Sequence, residues 1–211
     1  MAQFFSIHPT HPQARLIRRA AQIVRGGGLI AYPTDSCYAL GCHLGDAQAQ
    51  ERLRRVRGVD DKHHLTLMCR DLSQIAAYAV VDNAQFRLLR LATPGSYTFI
   101  LRATKEVPRR LQHPRRRTIG VRVPAHVVTQ ALLAELGEPM LSATLILPGE
   151  TAPLADAAAI RAALERELDV VVDCGPCGTE PSTVIDLTGE APVVLRKGKG
   201  SLETLGLDAP L

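Results

Sequence analysis

The chain has 211 residues, of which 46% are hydrophobic and 22% are charged, and its formal net charge is +4. This length and apolar content allow one large domain or two small ones with a substantial core, which excludes disordered and collagen-like classes. No apolar run reaches the roughly 18 to 20 residues of a membrane span, and the first residues lack the basic-then-apolar order of a secretory signal. We therefore expect a cytoplasmic protein without a membrane partner, whose five cysteines stay reduced.

The first half of the sequence mixes helical and strand patterns. Apolar residues at helical spacing predict a helix over 15–24, and the apolar run 29–32 predicts a strand that opens into a polar loop. Asp46 is a suitable N-cap for a helix that ends before Gly58. The next segments are expected to be a strand over 65–69 and helices over about 71–80 and 83–92.

The second half contains more strands than helices. We expect strands over 97–103, 118–123, 140–147, 170–173, 183–187 and 193–196, and helices over 125–136 and 156–168. Because several strands follow one another without an intervening helix, the pattern predicts an α/β fold around a mixed sheet of parallel and antiparallel strands. No linker divides the chain, so a single domain over 1–211 is expected, with an ordered core of about 10–200 and a loose tail over 201–211.

Positive charge is concentrated in two segments. The net charge is +7 from Arg102 to Arg122 and +4 from Arg52 to Arg57, and the rest of the chain carries −7. Of the 25 cationic residues 21 are arginine, whose planar guanidinium matches phosphate oxygens well. This clustering is typical of a protein that contacts phosphate groups at defined places.

Two familiar site patterns give weaker indications. Cys174 and Cys177 have the spacing of a thiol redox pair, but the sequence after them predicts a loop and not the helix that lowers a catalytic cysteine pKa. A zinc site would need further ligands from Cys37, Cys42 or Cys69, and the spacing does not require one. The role of this cysteine pair stays open, and neither a P-loop nor a Rossmann glycine motif is present.

Arginine and hydroxyl residues recur at the ends of the expected strands. In an open α/β sheet such positions converge on one crevice, which is the usual ligand site. Arginines would bind an anion there and hydroxyls a polar ligand, although ordinary caps and turns also use hydroxyls. These residues are Thr34, Asp35, Arg55, Arg57, Arg122, Ser142, Thr144, Ser182, Thr183 and Arg196.

Five motifs in this order resemble the YrdC/YciO family from about residue 10 to residue 200. They are Pro33-Thr34-Asp35 with Tyr38, Gly41 and Cys42; Thr93-Pro94-Gly95 with Thr98-Phe99; Val121-Arg122-Val123-Pro124; the segment PSTVID at 181–186; and Leu195-Arg196-Lys197-Gly198. The segments QFFSIHP at 3–9, LTLMCRDLS at 65–73 and KEVPRRL at 105–111 resemble the YciO branch in particular.

The resemblance implies a twisted α/β sheet folded over a large, positively charged concave cavity. Members of the catalytic branch condense L-threonine, bicarbonate and ATP into threonylcarbamoyl-adenylate and pyrophosphate, the first half of a tRNA adenosine modification. In that branch a Lys-x-Arg motif and a Ser-x-Asn motif hold the triphosphate and its metal. The matching positions here are Arg55-Val56-Arg57 and Thr144-Leu145-Ile146.

These two departures have different physical consequences. Arg55 keeps the positive charge of lysine but replaces a compact donor by a wide fork, so phosphate can still bind with altered geometry. Ile146 replaces a polar amide by a hydrocarbon, and losing one well-placed polar group typically costs roughly 10²- to 10³-fold in rate. ATP and Mg are therefore expected as cofactors only if synthase activity is retained, and no catalytic residue or metal ligand is assigned. The implied ligand-binding residues are Thr34, Arg55, Arg57, Arg122, Ser142, Thr144, Ser182 and Arg196.

Our main hypothesis is a YciO-like protein that binds double-stranded RNA or tRNA and keeps an anion or nucleotide pocket. The chain has only eight Phe and Tyr residues and no Trp, which favours recognition of duplex shape over stacking on single strands. The alternative is an L-threonylcarbamoyladenylate synthase that binds ATP and L-threonine, and a third hypothesis is a sensor of such ligands without turnover. The expected RNA contacts are Arg109, Arg110, Arg115, Arg116 and Arg117.

Overall fold

One mixed sheet organises residues 1–60, 63 and 65–207, which the computed structural model describes. Ten strands in this part of the chain are ordered β1-β8-β2-β3-β7-β4-β6-β5-β9-β10. The strands are β1 (Gln3–Ser6), β2 (Ile30–Tyr32), β3 (Ala39–His43), β4 (Thr66–Met68), β5 (Tyr97–Arg102), β6 (Thr118–Arg122), β7 (Met140–Thr144), β8 (Val170–Asp173), β9 (Thr183–Asp186) and β10 (Val193–Arg196).

The helices begin and end at residues that satisfy their free backbone groups. Asp46, Asp71, Asp82 and Asp156 each accept a hydrogen bond from a first-turn amide, as N-caps do. Gly58 ends one helix in the left-handed region. The helices are α1 (Ala14–Arg25), α2 (Ala47–Arg57), α3 (Leu72–Tyr78), α4 (Asn83–Ala92), α5 (Val127–Leu136) and α6 (Ala157–Leu164).

Strand pairing combines both directions, which confirms the predicted mixed sheet. The pairs β1 with β8, β2 with β8, β4 with β6 and β5 with β9 are parallel. The pairs β2 with β3, β3 with β7, β4 with β7, β5 with β6 and β9 with β10 are antiparallel. No helix in the described part of the chain has the length and apolarity required to cross a membrane.

The two faces of the sheet are covered unequally. On one face, residues of all ten strands except β10 and residues of α2, α3, α4 and α6 belong to the larger apolar core or pack against it. On the other face, α1 and α5 pack over β2, β3, β8 and the ends of β4 and β7. The strands β5, β6 and β9 contribute no residue to this second core, so their side of the face is left uncovered by α1 and α5.

Several expected boundaries were wrong. The structure adds β1, which lies before the expected ordered core and pairs with β8, and β3, where the sequence pattern predicted no strand. Residues of β3 are buried on both faces, so its sequence ALGCH shows no alternation of polar and apolar residues. The helix predicted over 156–168 ends at Leu164, and the strand predicted over 140–147 ends at Thr144.

The expected tail contains ordered structure. A 3₁₀ helix covers Glu203–Leu205, and the side chain of Leu205 is buried in the larger core near α4. A single buried leucine among polar residues gives little periodicity, so the sequence pattern did not indicate this contact. The remaining part of the expected tail, 208–211, lies outside the described residues.

Candidate functional site

A cavity of about 280 Å³ opens on the part of the sheet that α1 and α5 leave uncovered. It lies over β4, β6, β5 and β9, next to the loop that follows β2. Six of the eight ligand residues implied by the family resemblance line it together: Thr34, Arg122, Ser142, Thr144, Ser182 and Arg196.

Strand alternation explains how polar residues reach this cavity. In β5, Phe99 packs into the larger core while its neighbours Thr98 and Ile100 line the cavity. In β6, Val121 is in the core while Gly120 and Arg122 line the cavity. Because successive side chains of a strand point to opposite faces, an apolar core strand can carry a charged residue into the site.

Arg122 forms a buried ion pair with Asp35 at the base of the site. Their side chains are 5% and 13% exposed, and Nη2 of Arg122 lies 2.8 Å from Oδ1 of Asp35. The hydroxyl of Ser96 donates to the other carboxylate oxygen at 2.7 Å. Burial alone would raise the pKa of Asp35, but the positive charge of Arg122 and these hydrogen bonds outweigh it and lower the pKa. Asp35 is therefore ionised at neutral pH.

The segment 33–35 is held by side chains that donate to its three carbonyl oxygens. Thr129 donates from its hydroxyl to the carbonyl of residue 33 at 2.5 Å. The thiol of Cys177 donates to the carbonyl of Thr34, with sulfur and oxygen 3.8 Å apart, and Nζ of Lys199 donates to the carbonyl of Asp35. Side chains from three separate parts of the chain therefore fix the segment that carries Thr34 and Asp35.

Two further arginines bring the positive charge of the site to three guanidinium groups. Nε and Nη2 of Arg196 donate to the carbonyl of Ser182 at 3.1 and 2.9 Å, and Nη1 of Arg57 donates to the carbonyl of Ile146. Arg57 is half-buried and Arg196 is more exposed. Desolvation lowers the pKa of both, and a neighbouring guanidinium, that of Arg196 for Arg57 and of Arg122 for Arg196, lowers it further.

The arginine cluster, defined as Arg57, Arg122 and Arg196, is incompletely paired. Within the described residues, the buried Nε atoms of Arg57 and Arg122 have no hydrogen-bond partner. Among those residues, the only carboxylate paired with the cluster is that of Asp35. Buried donors without acceptors are costly in free energy, and a bound anion would satisfy them. The cluster therefore has the charge and the free donors of an anion site.

The hydroxyl groups of the cavity are already connected to one another. Ser142 donates to the carbonyl of Leu40 at 2.9 Å, so the hydroxyl of Tyr32, 2.6 Å away, donates to Ser142. Burial raises the pKa of Tyr32 far above its ordinary value, which keeps the phenol protonated. The hydroxyls of Thr98 and Ser182 are 2.8 Å apart. These bonds orient the cavity wall and leave the acceptor lone pairs for a ligand with donor groups.

Arg55 and Arg57, the two residues at the altered Lys-x-Arg motif, have different surroundings in the structure. Arg55 is an exposed residue whose Nη2 lies 2.8 Å from a carboxylate oxygen of Glu167, and it does not line the cavity. Arg57, two residues later on α2, contacts the chain beside Thr144 through the carbonyl of Ile146. Residues two apart on a helix point in different directions, and neither side chain lines the cavity itself. Burial lowers the pKa of Arg57, and its side chain lies close enough to the guanidinium of Arg196 for that charge to lower the pKa further. The structure therefore does not place Arg55 with the other implied ligand residues.

Some residues of the site, including Ser96 and Lys199, were not among those expected at the crevice, whereas Asp35 was expected there. Asp35 pairs with Arg122, and Ser96 and Lys199 hold Asp35 in turn. Asp35 belongs to the first family motif and Lys199 follows the last one, so the motifs contained the signal. Cys37 and Thr66 also line the cavity. Cysteine is often a buried apolar residue and threonine is common in strands, so neither residue type indicated a ligand site in the sequence.

The basic loop is defined as residues 103–117 between β5 and β6, and its buried residues Val107 and Leu111 belong to the larger core. Arg109, Arg115 and Arg117 are exposed. Arg110 donates to Oε1 of Gln50 at 3.0 Å and to the carbonyl of Gly45 at 2.7 Å, so it fastens the loop to the start of α2. Arg116 lies 3.4 Å from the carboxylate of Asp186 in β9.

Asp186 connects the basic loop to the cavity. It pairs with Ile100 of β5 and follows Val184 by two residues, so it shares the face on which both of those residues line the cavity. Arg116 therefore reaches the strip of sheet that continues from the cavity. All five arginines of the RNA hypothesis are exposed, and two of them, Arg110 and Arg116, also anchor the loop.

The cysteine pair lies in a loop after β8. Cys174 and Cys177 are half-buried, whereas Cys37, Cys42 and Cys69 are buried. Burial raises the pKa of Cys174 to about 12 and that of Cys177 to about 11. Neither thiol lies at a helix N-terminus, the position that activates redox cysteines. Across residues 1–60, 63 and 65–207, no group of three His, Cys, Asp or Glu side chains could hold a metal ion.

The family model Sua5_yciO_yrdC, described as "Telomere recombination", matches residues 22–198 of this chain. The protein YciO of Escherichia coli K12 is 54% identical over 203 residues, which are 96% of this chain and 98% of that protein. The crystal structure of E. coli YciO superposes with a TM-score of 0.95 over 97% of this chain and 100% of that one. Both comparisons cover nearly the whole of each molecule.

More distant relatives are named for an activity. A threonylcarbamoyl-AMP synthase of Chromobacterium violaceum is 37% identical over 191 residues, which are 89% of this chain and 96% of that protein. The structure of P. abyssi Sua5 complexed with L-threonine is 27% identical and has a TM-score of 0.85. That match covers 92% of this chain but 57% of the Sua5 chain. The chain is therefore more similar to E. coli YciO than to these two proteins.

Proposed function

This chain belongs to the Sua5/YciO/YrdC family, as its five ordered motifs predicted, and on that basis we propose that it binds RNA and a phosphate-bearing ligand. The phosphate-bearing ligand, such as a nucleotide, occupies the cavity beside the arginine cluster. Double-stranded RNA or tRNA binds along the basic loop. A cytoplasmic location is part of the proposal, because the chain has five free cysteines.

The observation that carries the proposal is the unsatisfied state of the arginine cluster. Three guanidinium groups face one paired carboxylate in the described part of the site, and two buried Nε atoms lack acceptors there. A phosphate group offers several acceptor oxygens and negative charge, and arginine binds it through two parallel hydrogen bonds. A cavity of about 280 Å³ suits a phosphate with a small organic part.

The RNA part of the proposal is supported by exposure and charge. Arg109, Arg115 and Arg117 are exposed on one loop, together with Lys105. Exposed arginines bind phosphates of a duplex without reading its bases, and this binding weakens steeply with salt. The absence of Trp, Tyr and Phe from residues 103–117 removes the stacking platform that single-strand binders use.

Titration with pyrophosphate tests the cavity directly. Isothermal titration calorimetry of the wild type is expected to show binding, and Arg57→Ala to weaken it at least about tenfold, because loss of a desolvated charge contact costs about 2 kcal/mol or more. The matched control is Arg18→Ala, an exposed arginine on α1. Absence of binding by the wild type, or equal affinity of the two variants, would contradict the anion site.

The RNA part is tested separately by titrating a duplex RNA at several salt concentrations. We expect the logarithm of the association constant to fall linearly with the logarithm of salt concentration, because phosphate contacts release counterions. Affinity that does not change with salt would rule out this mode of binding. A single-stranded RNA of the same length provides the comparison, and tighter binding to it would favour stacking instead.

A synthase activity is the second candidate function. It is favoured by the retained cavity residues Thr34, Arg122 and Ser182 and by the named synthase of C. violaceum, and L-threonine is a ligand of the similar Sua5 structure. Against it stand Ile146 in place of asparagine and Arg55 outside the cavity. ATP and Mg would be needed for this reaction and not for the first proposal.

Release of pyrophosphate from ATP separates the candidates. A synthase is expected to release it only when both L-threonine and bicarbonate are present, and Ile146→Asn is expected to increase the rate because it restores a polar amide near the phosphates. No release from either protein would exclude the synthase. A thermal shift with ATP or L-threonine but without turnover would instead support a sensor of these ligands.

A further inference from the structure

The Cys174/Cys177 pair has no part in the proposed function, yet it lies against the segment that forms the cavity. The hydroxyl of Tyr38 donates to the carbonyl of Gly175 at 2.8 Å. A Cβ atom on Gly178 would lie 2.7 Å from the carbonyl oxygen of Ser36, so the two backbones touch there. Any change in the conformation of this loop is therefore transmitted to the segment 33–38.

A histidine is placed to accept the proton of the first thiol. Nε2 of His126 lies 3.7 Å from Sγ of Cys174, and its Nδ1 lies 3.4 Å from the hydroxyl oxygen of Thr129. Thr129 uses its only hydrogen on the carbonyl of residue 33, so its oxygen must accept from Nδ1–H of His126. The imidazole then presents a lone pair at Nε2 to the Cys174 thiol.

The second thiol is a hydrogen-bond donor to the cavity segment. Sγ of Cys177 lies 3.8 Å from the carbonyl of Thr34, whose own hydroxyl accepts the amides of Ser36 and Cys37 at 3.1 and 3.2 Å. Oxidation of Cys177 would remove its hydrogen and hence this donor. The buried carbonyl of Thr34 would lose the partner that the structure gives it.

We propose that Cys174 and Cys177 form a reversible disulfide in reaction with a small-molecule disulfide, and that this modification loosens the cavity segment 33–37. Gly175 lies between the two cysteines and has φ = +98°, a backbone conformation that glycine adopts readily. This conformation makes the chain turn between Cys174 and Cys177. Formation of the disulfide does not depend on the proposed function. Its effect on ligand binding rests on the proposed function, because it requires that the cavity bind a phosphate-bearing ligand.

The exchange proceeds in two displacement steps. The sulfur of Cys174 attacks one sulfur of the small disulfide while its proton passes through Nε2 of His126 to the first small thiolate, which leaves as a thiol. The thiolate of Cys177 then attacks the Cys174 sulfur of the mixed disulfide and expels the second small thiol, which takes the Cys177 proton. The two protein thiols are oxidised and one small disulfide is reduced to two thiols.

The environment indicates a slow modification and not a catalytic exchange centre. Burial raises the pKa of both thiols, and Cys177 raises that of Cys174 further. Strongly oxidising CxxC pairs owe their potential to a stabilised thiolate, which this site lacks. We therefore expect oxidation over minutes to hours, and a disulfide that persists once it has formed.

Mass spectrometry of the oxidised full-length protein tests the disulfide itself. After incubation with oxidised glutathione, the wild type is expected to lose two hydrogens, with a peptide linking Cys174 to Cys177. Cys177→Ser is expected to retain one glutathione on Cys174, whereas Cys174→Ser is expected to remain unmodified. A persistent mixed disulfide in the wild type, a link from Cys37 to Cys177, or no reaction would overturn the proposal.

Two readouts test the effect on the cavity. Hydrogen exchange of the Ser36 and Cys37 amides is expected to be faster in the oxidised wild type, and pyrophosphate is expected to bind about two- to tenfold more weakly, the effect of losing one ordinary hydrogen bond. Cys174→Ser keeps the Cys177 thiol as a donor to the Thr34 carbonyl and cannot form the disulfide, so oxidant is expected to change neither readout. Unchanged exchange in the oxidised wild type would refute the coupling. If the reduced protein does not bind pyrophosphate, the proposed function is wrong. Hydrogen exchange of Ser36 and Cys37 would still test whether the disulfide loosens the segment 33–37.

Discussion

The arginine cluster and the basic loop contain the same type of residue in different surroundings. In the cluster, Arg122 is 4% exposed and is paired with a carboxylate that other side chains hold in place. In the basic loop, Arg109, Arg115 and Arg117 are exposed. The interaction of charges is weak and screened by salt at the surface but strong in a desolvated cavity.

This difference shows that position in the sheet, and not the number of arginines, divides the two roles. Arg122 belongs to the +7 segment of the sequence, yet β6 carries it into the cavity. Of the other charged residues of that segment, Arg102 ends β5 and the rest lie on the loop before β6. Substitutions in the cluster should therefore change both folding and ligand affinity, whereas substitutions in the loop should change mainly RNA affinity.

The largest effect is expected for Arg122→Ala. Removing one partner of a buried ion pair leaves Asp35 charged and unpaired, which typically costs about 3–5 kcal/mol of the free energy of unfolding. Pyrophosphate binding should also fall by about 30-fold or more. Urea denaturation and calorimetry measure the two effects. The double variant Asp35→Ala with Arg122→Ala should recover part of the stability, and a double variant no more stable than the single one would mean that the unpaired carboxylate is not the cause.

Acid should remove the contribution of the same pair. Because the pKa of Asp35 is lowered in the folded state, its ionised form stabilises the protein above the ordinary carboxyl pKa of about 4, and this contribution is lost as pH falls through the lowered value. At pH 7 the free energy of unfolding of the wild type should exceed that of Asp35→Asn by about 2 kcal/mol. The difference should shrink towards pH 3 in denaturation experiments. A difference that stays constant with pH would show that the charge of Asp35 is not responsible.

The sequence predicted the cluster better than it predicted the strands. The motifs and the strand-end positions predicted that Thr34, Arg122, Ser182 and Arg196 would meet, and all four line one cavity. They meet because strand-end positions converge in a sheet of this kind. The strand β3 was missed because burial on both faces removes the alternation on which strand prediction depends. The order of the ten strands follows from long-range pairing, which local patterns do not encode.

Arg55 shows where the motif and the cavity lining differ. Its position in the altered Lys-x-Arg motif implied a ligand contact, but the side chain pairs with Glu167 on the exposed side of α2. The sequence places these residues 112 positions apart, so no local pattern could indicate the pair. Arg110 was likewise assigned to RNA binding from charge alone, while the structure gives it hydrogen bonds to Gln50 and Gly45.

A smaller effect separates two neighbouring arginines of the basic loop. Arg110→Ala should lower the free energy of unfolding by about 1 kcal/mol, because it removes the hydrogen bonds to Gln50 and Gly45. Both residues are exposed, but the side chain of Arg109 makes no hydrogen bond to another described residue, so Arg109→Ala should leave stability within about 0.5 kcal/mol. Urea denaturation of both variants measures this contrast. Equal losses would mean that Arg110 does not fasten the loop to α2.

The smallest effect is expected for Arg115→Ala, and it concerns RNA alone. Loss of one phosphate contact should weaken duplex RNA binding to a similar degree for every sequence, and should reduce the slope of log K against log salt by about one. Pyrophosphate affinity should stay unchanged, because Arg115 is exposed on the loop and does not line the cavity. Arg18→Ala on α1 is the matched control. A slope that Arg115→Ala leaves unchanged, or that Arg18→Ala reduces equally, would show that RNA binding is not localised to the basic loop. The basic loop would then have no role distinct from that of other exposed arginines, and the contrast with the arginine cluster would hold for the cavity only.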